Sequence, residues 1–174
     1  KAYDRVWRAG IMERLRCIGV GGRMYSWIRA FLRDRRARVV LEGVFSSWSG
    51  YGSGVPQGSP LSPLLFNIFA TPLLRRVIVP KVMYADDVGL LCSGDDVRSI
   101  SDRLTVALHH VWRWERRYKA LFRLDKCYCV LFTQRRLQCE PSVYFKGKCL
   151  KVENSLDYLG VSFDRGLRWT IHIS

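Results

Sequence analysis

The chain has 174 residues, which suits one domain, and 48% of them are hydrophobic, enough to bury a core. Twenty-nine Lys and Arg against fifteen Asp and Glu leave a formal net charge of +14, which points to a polyanionic partner. No window approaches the roughly 18 uninterrupted apolar residues of a membrane span, no signal-peptide pattern opens the chain, and the six cysteines lack the paired spacing of a zinc site. They read as reduced thiols of an intracellular protein. Lys1 opens without Met, and Ser174 follows Trp169-Thr170-Ile171-His172 with no closing signal, so both ends read as cuts within a longer chain.

In chain order, Val6, Ile11, Leu15 and Ile18 stand near helical spacing and predict a helix over 5–19 that Gly21-Gly22 ends. A second helix, 23–33, presents Met24, Trp27, Ile28 and Phe31 on one face. Residues 38–42 read as a strand, Gly43 as a turn, and 45–51 as the returning strand. A Ser-Pro start opens a helix over 60–77, which Pro72 should end or kink. Residues 81–92 read as two short apolar strands around a polar centre. The clearest helix is 95–119, with Val97, Ile100, Leu104, Leu108, Val111 and Trp114 or Tyr118 as its stripe. Strand candidates follow at 127–133, 143–151 and 156–163. Hairpins alternating with helices predict an α+β fold, with an antiparallel sheet covered by helices on one face. The tryptophans mostly sit at core-like spacing and read as packing residues.

Two adjacent carboxylates, Asp86 and Asp87, stand at the centre of the apolar segment Val82-Met83-Tyr84-Ala85-Asp86-Asp87-Val88-Gly89-Leu90-Leu91. Apolar flanks predict a mostly buried segment, where paired anions are costly unless a cation joins them. Oxygen ligands suit a hard divalent cation such as Mg²⁺, and two such ions can activate a hydroxyl and stabilise a leaving oxygen. Asp95-Asp96 supplies a contrast. It follows Ser93-Gly94 and reads as an N-cap and first-turn pair of the long helix. Arg33, Arg35, Arg36 and Arg38 form a basic cluster next to the first hairpin, suited to phosphate contact. No Ser-His-Asp arrangement or Walker-type loop is visible, and His109-His110 has no partner at ligand spacing.

Tyr84-Ala85-Asp86-Asp87 resembles the signature hairpin of reverse transcriptases, especially those of LINE-type (non-LTR) retrotransposons. Upstream, Gly54-Val55-Pro56-Gln57-Gly58-Ser59-Pro60-Leu61-Ser62-Pro63-Leu64-Leu65-Phe66-Asn67 resembles the family's loop-and-helix motif at the nucleotide-binding site. The resemblance puts Gln57 and Gly58 against the nascent base pair and template. Lys1-Ala2-Tyr3-Asp4-Arg5-Val6-Trp7 resembles the end of the first catalytic motif, whose metal-binding Asp would stand before Lys1. By the same match Tyr3 is the aromatic that screens the sugar 2′ position. Asp4 corresponds to a second, non-metal Asp and reads as an N-cap of the first helix. Phe122-Arg123-Leu124-Asp125-Lys126-Cys127 resembles the next motif, in which Lys126 would assist the pyrophosphate leaving group. Residues Asp157 to Asp164, with Leu167, Trp169 and His172, resemble the primer-grip hairpin of jockey-like elements.

The resemblance implies that residues 1–174 are one polymerase palm with incomplete fingers and no thumb, part of a longer polyprotein. It implies Mg²⁺ in a two-metal site on Asp86, Asp87 and an upstream carboxylate. The implied activity is RNA-directed DNA polymerisation, extending a primer 3′-hydroxyl with dNTPs on an RNA template, in a nuclear setting and without a membrane. The alternative is a catalytically inactive, nucleic-acid-binding retroelement remnant that lacks the first catalytic Asp.

Overall fold

The computed structural model describes residues 2–135 and 139–168; Lys1, Trp169 and His172 lie outside the described residues. Two compact units emerge. The first holds residues 2–75, Met83–Val88 and Arg116–Ala120, and the second holds Arg76–Val82, Gly89–Glu115, 121–135 and 139–168.

The expected first helix is split. α1 (Ala2–Arg5) and α2 (Arg8–Cys17) are separated by Trp7, whose extended backbone (ψ 106°) breaks the run. α2 buries Ile11 and Leu15 and ends before Gly19, which takes φ +85°. Gly10 marks a close crossing: a Cβ there would lie 2.8 Å from the Trp7 ring and 3.0 Å from Phe69. α3 (Gly22–Leu32) follows, but its inner face is Ile28 and Leu32. Met24 and Trp27, expected to pack, are more than half exposed. Trp27 instead stacks on Phe31 at 5.9 Å.

β1 (Arg36–Ala37), β2 (Val40–Leu41), β3 (Val44–Phe45) and β4 (Ser49–Gly50) make one long ribbon in two pieces. β2 and β3 pair antiparallel across Glu42-Gly43, and β1 pairs antiparallel with β4 (Arg36 opposite Gly50). Both turn residues have positive φ, +50° and +80°, which suits the right-handed twist of a two-residue hairpin. α4 (Leu61–Arg76) buries Ser62, Leu65, Phe66, Phe69, Ala70 and Leu73. It runs on past Pro72, whose ring is itself buried.

β5 (Lys81–Tyr84) pairs with β6 (Asp87–Leu90), and the tip Met83–Val88 belongs to the first unit. α5 (Val97–Tyr118) starts as the sequence predicts: Asp96 accepts the amides of Arg98 and Ser99 at 3.2 and 2.9 Å. Its buried stripe is Ile100, Ala107, Val111, Trp114 and Tyr118.

A 3-10 turn (Leu124–Lys126) leads to β7 (Tyr128–Val130). β8 (Tyr144–Phe145) and β9 (Lys148–Cys149) form a hairpin across Lys146-Gly147. In the second unit the Ser101 and Thr105 hydroxyls of α5 accept the amides of Ser142 and Tyr144, fixing β8 along the helix. β10 (Lys151–Glu153) pairs with β7 in parallel, and β11 (Ser155–Tyr158) folds on β12 (Val161–Asp164) across Leu159-Gly160.

The fold mixes helix and strand as expected. Among the described residues, however, the strands form two-stranded ladders, one of them parallel, in place of a single antiparallel sheet. Turn residues explain the short pieces: Lys146-Gly147 and Leu159-Gly160 both have positive φ and cut the expected long strands into hairpins. No helix among the described residues is long and apolar enough to cross a membrane.

Candidate active site

A loop strapped onto the first helical turn organises the first unit. The Val55 amide donates to Tyr3 O at 2.9 Å and the Gly54 amide to Val6 O at 2.8 Å. Ser53 Oγ donates to Asp4 O at 3.0 Å, and Gln57 Nε2 donates to Asp4 Oδ1 at 2.8 Å. From the other side Arg8 clamps the same loop, with Nε on Gly54 O at 2.9 Å and an Nη2 on Ser53 O at 2.8 Å. Gly54 makes the close approach possible, because at φ +82° a Cβ would sit 2.6 Å from Asp4 O. Ser62 Oγ then donates to Pro56 O, joining the loop to the first turn of α4.

Asp4 therefore does not cap a helix. The residue in the N-cap position of α2 is Trp7, which makes no side-chain cap bond, and the Asp4 carboxylate is spent on Gln57. Tyr3 stacks on Phe66 of α4 with ring centroids 4.8 Å apart and planes 17° from parallel, which fixes the ring's orientation. Gly58 takes φ +83° with open space where a Cβ would be, so its backbone is accessible.

Asp86 occupies the two-residue turn between β5 and β6, and Asp87 opens β6. Both are exposed, and among the described residues neither carboxylate has a hydrogen-bond or ion-pair partner. The expectation of a buried pair is not met: Val82 is 45% exposed and Tyr84 63%. With two strands paired alone, the outer faces of the hairpin stay open to solvent. Ala85 holds the turn at φ +50°, a left-handed conformation that costs a non-glycine residue about 1–2 kcal/mol. The other two-residue turns of paired strands, 42–43, 146–147 and 159–160, carry glycine in their second position; this one carries an aspartate. Strain at the tip thus coincides with the placement of a carboxylate.

Free, exposed carboxylate oxygens are a donor set that fits a hard divalent cation. No cluster of three or more His, Cys, Asp or Glu occurs among the described residues, so the pair alone is an incomplete cage.

A profile of the family described as reverse transcriptase (RNA-dependent DNA polymerase) matches residues 1–163. The chain belongs to the reverse transcriptase family. It is 29% identical over 182 residues to the RNA-directed DNA polymerase from mobile element jockey of Drosophila melanogaster, covering 100% of this chain and 20% of that protein. The probable RNA-directed DNA polymerase from transposon BS of the same fly is 27% identical over 186 residues, covering 99% and 20%. The Pol polyprotein of the type-1 retrotransposable element R2 from Popillia japonica is 30% identical over 107 residues, covering 59% and 18%. The chain spans about a fifth of the length of the curated relatives it matches.

Within this reverse transcriptase chain, the first unit gathers Tyr3, Gln57, Gly58, Asp86 and Asp87, whereas Lys126 belongs to the second. Lys126 is exposed at the end of the 3-10 turn. The ion pair beside it joins Arg123 to Asp125, which holds the Asp125 carboxyl below its ordinary range. The anchors Asp4, Ser53 and Arg8 carry no sequence signal for their roles, since their partners lie 45 to 53 residues away.

Proposed function

We propose that this chain is the palm core of an RNA-directed DNA polymerase of a non-LTR retrotransposon. It extends a primer 3′-hydroxyl with dNTPs on an RNA template, in a Mg²⁺-dependent reaction. One observation carries the reading. The unpartnered Asp86 and Asp87 stand at the tip of the β5–β6 hairpin, in the same compact unit as the strapped Gln57 loop.

Asp86 and Asp87 would hold the divalent cations together with the carboxylate that the resemblance puts ahead of Lys1. Bound there, Mg²⁺ supplies charge neutralisation for in-line displacement of pyrophosphate. The chain's own side chains do the positioning. Tyr3, its ring plane set by Phe66, forms a wall for the sugar and disfavours a 2′-hydroxyl. Gln57 offers an amide donor and acceptor beside the nascent pair, and Gly58 lets the template approach its backbone. Lys126 neutralises the departing pyrophosphate as a point charge. The family association makes the nucleus the working compartment.

Primer extension on an RNA template tests this, using the chain and a version lengthened upstream and downstream, each with an Asp86→Ala control. Metal-dependent extension that Asp86→Ala abolishes supports the reading. A lengthened version that binds template and primer but never extends overturns it in favour of an inactive remnant.

A further inference from the structure

Four arginines, Arg8, Arg33, Arg35 and Arg36, line one open cleft of about 410 Å³ in the first unit, together with Tyr51. The single acidic residue in its wall is Asp34, 3.9 Å from Arg33. Arg35 and Arg36 find no acidic partner among the described residues. Arg8 is held in place by its bonds to Ser53 and Gly54, and its pKa is lowered by burial and then by the like charge of Arg35. Crowding like charges this way is unfavourable until an anion enters.

We propose that the cleft grips the phosphodiester backbone of a single nucleic-acid strand, and that the neighbouring ribbon stacks its bases. Guanidinium forks match phosphate oxygens in pairs. The ribbon supplies the second half of the argument. Arg38 lies over Phe45 at 3.8 Å and over Trp48 at 4.8 Å, while Phe45, Trp48 and Tyr51 are 54%, 59% and 54% exposed. Arg38 covers one face of Phe45 and of Trp48 while both residues stay more than half exposed, which leaves ring surface for stacking bases without base preference. A free triphosphate would account for the arginines but leave the rings unused. The proposal deepens the polymerase reading, since it assigns a strand-holding site beside the Gln57 loop.

The test is fluorescence anisotropy of a labelled single-stranded RNA titrated with the chain at several salt concentrations. Arg35→Gln combined with Arg36→Gln, both at exposed positions, should weaken binding and flatten the log-affinity against log-salt slope by about 1.4, for two phosphates lost. Trp48→Leu should weaken binding about tenfold with the slope unchanged. Inorganic tripolyphosphate serves as the competitor. Affinity and slope that stay at the wild-type value in the double arginine variant overturn the proposal. So does a Trp48→Leu chain that binds normally while tripolyphosphate displaces the strand stoichiometrically, because the cleft then takes a free polyphosphate. A lengthened wild-type chain that binds with this arginine dependence but never extends a primer would sink the polymerase reading alone.

Discussion

Gln57 Nε2 donates to Asp4 Oδ1 at 2.8 Å, so the side chain expected at the nucleotide is anchored to a residue 53 positions earlier. A carboxylate acceptor beside an exposed amide limits Gln57 to one side of its loop. Asp4→Ala removes the acceptor, whereas Asp4→Asn keeps an oxygen in the same place. In a lengthened chain with the proposed polymerase activity, Asp4→Ala should raise the KM for dNTP about 5-fold, equivalent to about 1 kcal/mol, with kcat changed less. Asp4→Asn should restore the wild-type KM. Equal losses in both variants would mean that charge, and not the hydrogen bond, matters.

Gly54 cannot be replaced without moving the strap. Its φ of +82° and the 2.6 Å approach to Asp4 O leave no room for a Cβ. Gly54→Ala should lower stability by at least about 1–2 kcal/mol. The readout is a lower urea midpoint with an unchanged slope, since the surface exposed on unfolding stays the same.

The hairpin tip makes the opposite prediction. Ala85 sits at φ +50°, so Ala85→Gly relieves left-handed strain and should raise the unfolding free energy by about 0.5–1 kcal/mol after the added chain entropy is counted. Ala85→Val, β-branched, should lower it by more than about 1 kcal/mol. Paired thermal melts of the two variants check the sign, and a destabilised Ala85→Gly would show that the turn is not strained.

In the second unit, Lys146 Nζ lies 2.5 Å from Glu115 Oε1 and 2.8 Å from Phe122 O, and the Phe122 amide donates to the same Glu115 oxygen at 3.2 Å. The side chains are 18% and 7% exposed. Lys146→Met would leave Glu115 buried and charged without its counterion, at a cost of about 3 kcal/mol. Replacing both, Glu115→Gln with Lys146→Met, should recover part of that loss in denaturant melts.

Burial pushes the thiols of Cys127 and Cys129 up, since the thiolate is the form that loses solvation. Cys17, Cys139 and Cys149 are exposed. Timed alkylation read by mass spectrometry should label these three before Cys127 and Cys129. The sign for stability follows: the unfolded chain releases these protons first, so stability falls as pH rises past the ordinary thiol value.

Much of the local structure was legible because it is written in short-range chemistry. The Asp96 cap and the α5 stripe depend on residues within a few turns of one another, and the apolar–Ala-Asp-Asp–apolar segment turns where expected. The errors share another cause. Asp4 read as a helix cap because its nearest neighbours allow one, and nothing nearby announces Gln57. Met24, Trp27 and Trp48 read as core because they are apolar, although burial depends on what packs opposite.

By itself the sequence determined the family, through ordered motifs along residues 1–163, together with the charge balance, the Asp96 start of α5 and the adjacency of Asp86 and Asp87. Those properties need only residue identity and spacing. The tertiary structure alone decided that Asp4 holds Gln57, that four arginines share a cleft, and that the carboxylate pair stands exposed on a two-stranded hairpin. Each depends on contacts or solvent access set by chain segments brought together in space, and periodicity along the chain carries no record of those.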